Sequence, residues 1–417
     1  MTVTRSSVES QAHAAREAAF HLHHAGDEAR RAALLTTAGA IRTRAQEVLA
    51  ANARDLGVLE GRPPAFRDRL TLTAARVEGL ARALEEIAAL PDPLGRVLDV
   101  RIRPNGMAVS RVRVPIGVVA MIYESRPNVT VDAAGLCLRS GNAVILRGGA
   151  ESLRSDQVLV ECVHDGLRAA GLPPAAVMLL ERRDYEAIAA LVGLRGLVDL
   201  VIPRGGESLI SLVAEHARVP VLQHEKGVTH VFVDRAANQE MAIRIIVNAK
   251  ANRPSTCNAL ETALIDASIA PQILPPLVAA LRAAGIEVRG CPETRRHVPD
   301  VAAATDDDWA TEYLDLILSV RVVDGLDGAL VHIRRYGTGL AEAIVTEDRA
   351  QAERFVQEVD SAAVLVNAST RLVDGGEFGL GAEVGISTSR VHARGPMGVE
   401  DLTTTKWVVR GSGQVRA

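Results

Sequence analysis

The chain has 417 residues, which is too long for one ordinary hydrophobic core and predicts two domains. Hydrophobic residues make up 48% and charged residues 24%, proportions that are typical of a globular enzyme and exclude a disordered chain. The net charge of −4 gives no electrostatic basis for binding nucleic acid or an anionic membrane.

The N-terminal part of the chain is predicted to be helical. Apolar residues recur at helical spacing over residues 8–60 and 73–90. Basic and acidic side chains are mixed there, which favours a solvated helical face over a nucleic-acid surface. The segment LPDPLGR, residues 90–96, ends this helical part, because its prolines and glycine interrupt a helix.

From residue 114 onwards, predicted strands alternate with predicted helices. The strands are VPIGVVAMIYES, NAVILRGG, AAVMLLE, LVDLVIPRGG and VPVLQ, and the helices between them are VTVDAAGLCLRSG, residues 152–170, YEAIAALVGL and ESLISLVAEHA. After a break, THVFVD, ALETALID, IEVRG, DLILSVRVV, AEAIVT and SAAVLVNAS are predicted strands, with helices over QEMAIRIIVNAKANR and residues 270–284. This alternation indicates βαβ units and parallel sheets, hence two α/β domains.

Two strand ends have the shape of a phosphate-binding turn. VILRGGAES and VIPRGGES each end a strand in Arg-Gly-Gly and then open a helix, whose N-terminal N–H groups favour an anion. Either turn by itself is explained equally well by a simple reversal of the chain, but two copies in one sheet favour binding. The nearest imitation of a dinucleotide fingerprint, GLGAEVG at 379–385, follows no apolar strand and is predicted to be a loop. The candidate cofactor-binding residues are Arg147, Gly148, Gly149, Arg204, Gly205 and Gly206.

Cys257 has polar neighbours in the segment NAKANRPSTCNALET, residues 248–262. A structural cysteine usually lies in an apolar run, whereas this one is predicted on a turn between a helix and a strand. The turn favours a functional thiol without excluding an incidental one. Asn128, in YESRPNVTVDAA, is either a helix N-cap or an amide that donates to an oxyanion.

The spacing of the four cysteines indicates a cellular compartment rather than a metal or disulfide site. Cys137, Cys162, Cys257 and Cys291 form no C-x-x-C pair and no metal-finger spacing, so a reduced compartment and no metal site are expected. The N-terminus lacks the apolar region of a signal peptide, and no run of eighteen apolar residues occurs. We therefore expect a cytoplasmic protein without a membrane span.

Segments in order along the chain resemble one enzyme family: VPIGVVAMIYESRPNVTVDAAGLCLRSGNAVILRGG, VIPRGG, RPSTCN, TEYLDLI, VNAST, FGLGAEVGIST and HARGPMG. The chain resembles the γ-glutamyl phosphate reductases, or glutamate-5-semialdehyde dehydrogenases, of the aldehyde dehydrogenase superfamily. The resemblance runs from the N-terminal helices to about Trp407, and YESRPNVT and RPSTCN are specific to that family.

The resemblance implies a role for each residue whose motif matches. Cys257 would be the nucleophile that takes the glutamyl group as a thioester. Asn128 would share the oxyanion hole with the Cys257 backbone N–H, and Glu312 resembles the glutamate that holds the nicotinamide ribose. LRGG and IPRGG fall where the superfamily places its cofactor, which in this family is usually NADPH. Lys250 and Arg253 lie near Cys257 in sequence, so either is a candidate to activate the thiol or to hold a departing phosphate.

The pattern and the resemblance together predict an aldehyde-dehydrogenase-like fold with two doubly wound α/β domains and a small oligomerisation flap. The cofactor-binding domain is placed at 1–225, with 101–115 partly in the flap, and the catalytic domain at 226–370. Residues 371–417 form a return segment and the rest of the flap, through DLTTTKWVVR. The expected reaction is NADPH-dependent reduction of L-glutamate 5-phosphate in proline biosynthesis, by a homo-oligomer. Docking with glutamate 5-kinase is left open.

Two other functions compete with this one. A hydrolytic aldehyde dehydrogenase needs a base that activates water, and the position that best matches that base holds Gln223, a neutral amide, with Glu225 two residues on. A non-catalytic regulatory relative is suggested only by departures from the family pattern. Thr229 replaces a cysteine before His230, and Leu340 and Ala341 replace a histidine and a hydroxyl residue. We expect these departures near the substrate, with intact Cys257, Asn128 and Glu312 favouring an enzyme.

Overall fold

The computed structural model describes residues 2–58, 64–180, 184–222 and 226–416. The chain forms two compact units, one made of Met1–Gln223, Gly379–Gly385 and Met397–Ala417, the other of His224–Phe378 and Ile386–Pro396. The segment after residue 370 is thus divided between both units, whereas the sequence suggested a separate return segment. Among the described residues, no helix has the length and apolar character that crossing a membrane requires.

The first unit begins with helices whose apolar stripe is buried, as at Leu34, Ala38 and Ile41. This confirms the helical prediction for the described part of residues 8–60 and for residues 73–90. In chain order, its elements up to residue 222 are α1 (Thr2–His24), α2 (Asp27–Thr43), α3 (Ala45–Leu56), α4 (Pro64–Leu70), α5 (Ala74–Ala89), β1 (Val97–Ile102), β2 (Ala108–Pro115), β3 (Val118–Tyr123), α6 (Pro127–Arg139), β4 (Ala143–Arg147), α7 (Leu153–Ala169), β5 (Val177–Leu179), α8 (Tyr185–Val192), β6 (Leu200–Arg204) and α9 (Glu207–His216), with 3₁₀ turns at Ala150–Ser152 and Pro174–Ala176.

The core of the first unit is a parallel sheet in the order β5-β4-β3-β6. All residues of β3 and β4 are buried, which explains why these strands read as continuous apolar runs. The described part of the predicted strand VPVLQ does not form a strand, because only Val221 makes a bridge, to Val201 in β6. Gln223 lies outside the described residues.

An antiparallel sheet, β1-β2-β16, completes the first unit. Its third strand, β16 (Thr403–Arg410), pairs with β2 along its whole length, so the RVRV and DLTTTKWVVR segments do share one sheet. The sequence analysis missed β1. Its hairpin turn contains Asn105 and Gly106, a turn signal, with Gly106 at φ +82°. The oligomerising role of this sheet remains a prediction.

The second unit is built on a seven-stranded parallel sheet in the order β10-β9-β11-β8-β7-β12-β13. Each strand predicted between residues 229 and 369 is confirmed. Most of the observed strand ends lie within one or two residues of the predicted ends. The elements are β7 (Thr229–Val233), α10 (Gln239–Ala251), β8 (Leu260–Asp266), α11 (Ala270–Ala283), β9 (Glu287–Gly290), α12 (Pro292–His297), β10 (Ala302–Ala303), β11 (Ile317–Val323), α13 (Gly325–Tyr336), β12 (Ala341–Val345), α14 (Arg349–Glu358), β13 (Ala363–Val366), β14 (Ile386–Ser387) and β15 (Gly395–Pro396), with 3₁₀ turns at Asp307–Ala310 and Thr370–Leu372. The predicted α/β fold class is confirmed.

Candidate functional site

In the first unit, the candidate residues lie on turns after β3, β4 and β6, at the carboxyl edge of the parallel sheet. This is the edge at which doubly wound sheets bind ligands. The turn after β3 is tied to the turn after β4 through Glu151, whose Oε1 accepts hydrogen bonds from the Ser125 backbone N–H at 2.8 Å and from the Ser125 hydroxyl at 2.7 Å. The sequence analysis did not single out either residue.

A buried polar chain fixes the base of these turns. The Tyr123 hydroxyl lies 2.6 Å from the Thr130 hydroxyl, which donates to Asp156 at 2.9 Å. Ser152 donates to the other Asp156 oxygen at 2.9 Å and so connects the chain to the turn after β4. Because every member of this network is buried and hydrogen-bonded, it holds α6 and α7 in fixed positions against the sheet.

The first Arg-Gly-Gly turn, at Arg147, Gly148 and Gly149, is buried within the chain. Arg147 is only 6% exposed, which disfavours a direct contact of its guanidinium with a cofactor, so that role stays a prediction. A Cβ at Gly149 would lie 2.1 Å from the Glu151 Oε1, so the glycine leaves room for that carboxylate. The partly exposed residue at this turn is Glu151, not Arg147.

The second Arg-Gly-Gly turn differs, because Gly205 and Gly206 are exposed at the start of α9. The Gly206 N–H donates to the Glu124 Oε2 at 3.0 Å. A Cβ at Gly205 would lie 2.5 Å from the same carboxylate oxygen. An anionic side chain therefore already occupies the helix N-terminus where we predicted a phosphate. The loop prediction for GLGAEVG is confirmed, and its last residue, Gly385, leaves room for the Arg204 side chain, since a Cβ there would lie 2.7 Å from the Arg204 Nη1.

Asn128 is an exposed residue in the first turn of α6, after Pro127. Its Nδ2 donates to the Asp132 Oδ2, one helical turn on, at 3.0 Å. An ionised carboxylate only accepts hydrogen bonds, so this contact determines which way the amide points and leaves the second Nδ2 hydrogen for another acceptor. Burial raises the pKa of Asp132 to about 6, against the lowering effects of the Asn128 hydrogen bond and the Arg204 charge.

In the second unit, Cys257 lies on the loop between α10 and β8, as predicted. The loop is tightly turned, because the Arg253 carbonyl accepts from the Thr256 N–H at 3.2 Å and from its hydroxyl at 2.9 Å. Arg253 itself is exposed and has φ +55°, a left-handed conformation that is uncommon outside glycine. Cys257 is half-buried, whereas the other three cysteines are buried.

The Cys257 backbone is held from one side by Gly227. A Cβ at Gly227 would lie 2.0 Å from the Cys257 carbonyl oxygen and 2.8 Å from its Cα. The next residue, Val228, donates its N–H to the Thr338 hydroxyl at 3.1 Å, which links this segment to the turn before β12. Only glycine allows so close an approach of two backbones. The sequence analysis missed Gly227, because nothing within its own segment indicates the contact.

Asn258 holds the loop from the opposite side. It is buried and donates from Nδ2 to the Val373 carbonyl at 2.8 Å. Its Oδ1 accepts from the Thr256 hydroxyl at 3.0 Å and from the Arg371 guanidinium. Arg371 also donates to the Asn252 carbonyl at 2.8 Å, so one guanidinium bridges the end of α10 and the residue after the thiol.

The residues that we expected to depart from the family pattern are buried next to the Cys257 loop. Leu340 and Ala341 are fully buried and belong to an apolar cluster, with Ala363, Val373 and Ile386, against which Cys257 packs. Thr229 is also fully buried and donates its hydroxyl to the Ala259 carbonyl at 2.7 Å. None of the three exposes surface to a ligand, and the expectation that they lie near the substrate stays a prediction.

Glu312 precedes β11, on a partly exposed segment. The next residue, Tyr313, donates its hydroxyl to Asp308 at 2.6 Å and lies 2.8 Å from the Ser319 hydroxyl. Arg289 closes this arrangement with an ion pair to Asp308 at 2.8 Å and a guanidinium over the Tyr313 ring at 5.2 Å. The Glu312 segment is thus fixed through its neighbour rather than through secondary structure.

The side chain of Lys250 is buried and does not reach the surface, where a phosphate would bind. Its side chain is 0% exposed, and its Nζ forms an ion pair with Glu261 at 2.7 Å. The expectation that Lys250 holds a departing phosphate is corrected, since the ammonium faces an internal carboxylate. Arg253, by contrast, is exposed beside Cys257 in sequence and stays a candidate.

The structure thus brings Cys257, Lys250 and Glu312 to one edge of the second sheet. Cys257 precedes β8 and Glu312 precedes β11, while Gly227 and Leu340 precede β7 and β12. This is the amino edge, the opposite of the edge used in the first unit. Among the described residues, no group of three or more His, Cys, Asp or Glu side chains has the arrangement of a metal site.

Comparison with known proteins points to one family. The model of the aldehyde dehydrogenase family matches residues 1–295. A γ-glutamyl phosphate reductase from Xanthomonas campestris pv. campestris (strain 8004) is 53% identical over 412 residues, which cover 98% of this chain and 100% of that protein. The crystal structure of a γ-glutamyl phosphate reductase from Thermotoga maritima has 45% identity and a TM-score of 0.96, and the match covers 98% of this chain and 100% of that one.

A more distant structure shares the fold alone. A glyceraldehyde-3-phosphate dehydrogenase from Methanocaldococcus jannaschii, in complex with NADP, is 15% identical, with a TM-score of 0.72 over 98% of this chain and 95% of that one. The family resemblance read from the sequence is confirmed by the closer relatives, and the aldehyde-dehydrogenase-like fold by all of them.

Proposed function

Because the chain belongs to the γ-glutamyl phosphate reductases of the aldehyde dehydrogenase family, we propose that it reduces L-glutamate 5-phosphate to L-glutamate 5-semialdehyde. It is an enzyme, and the reaction uses NADPH and releases phosphate. The product is an intermediate of proline biosynthesis. We also propose a cytoplasmic location, which agrees with the absence of a disulfide among the four cysteines.

The observation that carries the chemistry is the contrast between Cys257 and the other thiols. Cys137, Cys162 and Cys291 are buried, and burial raises the pKa of Cys162 to about 11 and that of Cys137 further. Cys257 alone is partly exposed and lies on a loop held from several sides. A positioned, accessible thiol is what nucleophilic catalysis requires.

The first step is attack of the Cys257 thiolate on the acyl carbon of the substrate. The bond from that carbon to the phosphate oxygen breaks, phosphate leaves with the electron pair, and a thioester forms. Arg253 is the exposed cation that we assign to the departing phosphate. When bound, the reduced cofactor supplies a hydride to the thioester carbon. The carbon–sulfur bond then breaks, which releases the aldehyde and restores the thiolate.

Both steps pass through an oxyanion, which needs hydrogen-bond donors already in place. We propose the Cys257 backbone N–H and the Asn128 amide. Support for Asn128 comes from its own unit, where one Nδ2 hydrogen is fixed on Asp132 and the side chain is exposed. Support for the N–H comes from the contacts of Gly227 and Asn258, which fix the backbone on both sides of the thiol.

The first unit has residues that fit a dinucleotide, although not as the sequence suggested. Gly205 and Gly206 offer an exposed glycine turn at a helix start, and Glu151 is a partly exposed carboxylate of the kind that binds ribose hydroxyls. Glu124 caps that helix, so a phosphate there has to share or displace its carboxylate. In the second unit, Glu312 is assigned to the nicotinamide ribose. The preference for NADPH rests on the family resemblance of the sequence alone.

We also propose that the β1-β2-β16 sheet is an oligomerisation flap. Val100 and Ile102 are more than half exposed on one face of it, and Trp407 and Val409 are more than half exposed on the other. Large apolar side chains at the surface favour association with another chain. A second copy of this chain is the expected partner, in agreement with the homo-oligomer that the resemblance implies.

Dependence on phosphate tests the proposal against hydrolytic oxidation of an aldehyde. In the reverse direction, phosphate is the nucleophile that releases the thioester, whereas a hydrolytic enzyme uses water. Gln223 and Glu225, the candidate positions for a water-activating base, lie outside the described residues. We expect NADP⁺ reduction with L-glutamate 5-semialdehyde to require added phosphate, with arsenate as an effective substitute. Robust turnover to glutamate without phosphate would refute the reductase.

A further inference from the structure

A fully buried ion pair lies at the two ends of the Cys257 loop. Lys250 is in the last turn of α10, Glu261 is the second residue of β8, and both side chains are 0% exposed. The Nζ–Oε2 distance of 2.7 Å closes residues 251–260 into a loop whose ends cannot separate without breaking the pair. Buried ion pairs stabilise a fold weakly, if at all, compared with apolar side chains of similar volume. Stability alone therefore does not account for this pair.

The same pair contacts the segment that carries Glu312. The second oxygen of Glu261, Oε1, faces the Leu314 N–H at 3.5 Å, and the Lys250 Nζ lies 5.7 Å from the Tyr313 ring centroid. Leu314 has φ +54°, so this segment follows a path that its own residues do not favour. A strained path needs contacts that hold it, and the ion pair supplies them on the inner side.

The charge of Glu312 acts on both members of the pair. Burial lowers the pKa of Lys250, and the carboxylates of Glu261, Asp315 and Glu312 act in the opposite direction. Burial raises the pKa of Glu261, with Lys250 opposing the rise and Glu312 adding to it. Glu261 therefore has the largest electrostatic effect on the ammonium, and the carboxylate that we assign to the cofactor acts on it more weakly.

We propose that Lys250 and Glu261 are positioning residues that fix the Cys257 loop and the Glu312 segment relative to each other. The pair is the element common to both, since it closes the loop that carries the thiol and supports the two residues that follow Glu312. This role replaces the one expected for Lys250 from its nearness to Cys257 in sequence. The inference rests on the proposed function for the identity of the thiol and of the cofactor.

Loss of the Glu261 charge has a defined consequence. In Glu261→Gln, the shape of the side chain is kept, but the buried ammonium loses its counter-ion. The remaining carboxylates that act on Lys250 are those of Asp315 and Glu312, so the ammonium turns towards them and draws Glu312 from its place. We expect NADPH to dissociate from this variant about tenfold more readily, while 2′,5′-ADP, which lacks the nicotinamide ribose, binds as before. We also expect kcat to fall at least tenfold.

Two further variants complete the test. Lys250→Met with Glu261→Leu replaces the pair by apolar groups and is expected to keep the thermal midpoint while losing the same selectivity between NADPH and 2′,5′-ADP. The control is Arg30→Met with Asp92→Leu, which removes a largely buried ion pair of the first unit, with an N–O distance of 2.6 Å. The control is expected to keep kcat and both affinities, which separates the positioning role from the general loss of a buried pair.

The outcomes are distinct. If Glu261→Gln leaves both affinities and kcat unchanged, or weakens NADPH and 2′,5′-ADP equally, the positioning role is refuted, whether or not the double variant folds. NADPH binding by the wild type is measured by fluorescence without any substrate. Failure of the wild type to turn over L-glutamate 5-semialdehyde with phosphate would thus refute the proposed function separately, without affecting the comparison of the variants.

Discussion

Gly227→Ala should separate the position of the thiol from its chemistry, because the substitution leaves Cys257 in place and moves only its backbone. The added Cβ would lie 2.0 Å from the Cys257 carbonyl oxygen, and real Cβ atoms essentially never approach a heavy atom within 3.0 Å. The carbonyl therefore has to move by about 1 Å, and the neighbouring atoms in the clash are backbone atoms that cannot rotate away. A misplacement of about 1 Å in a catalytic group costs about 100-fold in rate, or about 2.7 kcal/mol of transition-state stabilisation.

The assay compares kcat/KM for phosphate-dependent oxidation of L-glutamate 5-semialdehyde with the thermal midpoint of the same preparation. Overpacking of this kind costs about 1–3 kcal/mol of stability, so the protein is expected to remain folded at 25 °C. Gly79→Ala is the matched control, since its methyl group, on α5, meets nothing within 4 Å. A Gly227→Ala enzyme within about threefold of the wild-type kcat/KM would show that the loop tolerates the shift and would refute the reasoning.

Two further predictions concern the thiol and the amide. Cys257 should react fastest of the four cysteines with iodoacetamide, because the others are buried. Modification of Cys257, or the substitution Cys257→Ala, should abolish turnover. More than trace activity in the Cys257→Ala variant would exclude Cys257 as the nucleophile. Asp132, with a pKa raised to about 6, takes up a proton as the pH falls through that value and then no longer fixes the Asn128 amide as a pure acceptor. The wild-type kcat should decrease as the pH falls below about 6. The Asp132→Asn variant should have a lower kcat at neutral pH and should not show this acidic decrease. An unchanged acidic decrease in the variant would show that another group causes it.

Most of the fold was predictable because the parallel strands are buried on both faces. Every residue of β3 is buried, so this strand is an apolar run between turn signals. The errors occurred at the edges of sheets. The strand β1 is largely exposed and its residues alternate weakly, and VPVLQ is apolar without forming more than one bridge. Apolar character predicts burial, but not whether a ladder of hydrogen bonds forms beside it.

The site was predictable only where one segment carries its own signal. The polar turn around Cys257 and the motif that contains Asn128 are such segments, and the first position is confirmed as a turn. Glu124 and Gly227 are not, because their roles arise from contacts with Gly206 and Cys257, residues far from them in the chain. Lys250 shows the opposite error. Its nearness to Cys257 in sequence suggested a direct contact with substrate, whereas the last turn of α10 directs its side chain to Glu261.

Two of the residues that we expected to depart from the family pattern, Leu340 and Ala341, lie in an apolar cluster beside the thiol. Leu340 and Ala341 replace polar residues, yet both are fully buried, and Cys257 packs against their cluster. An apolar wall disfavours a thiolate, because it cannot solvate the charge. Cys257 is nevertheless partly exposed. The contacts of Gly227 and Asn258 hold the loop on both sides of the thiol and so limit its movement towards that cluster.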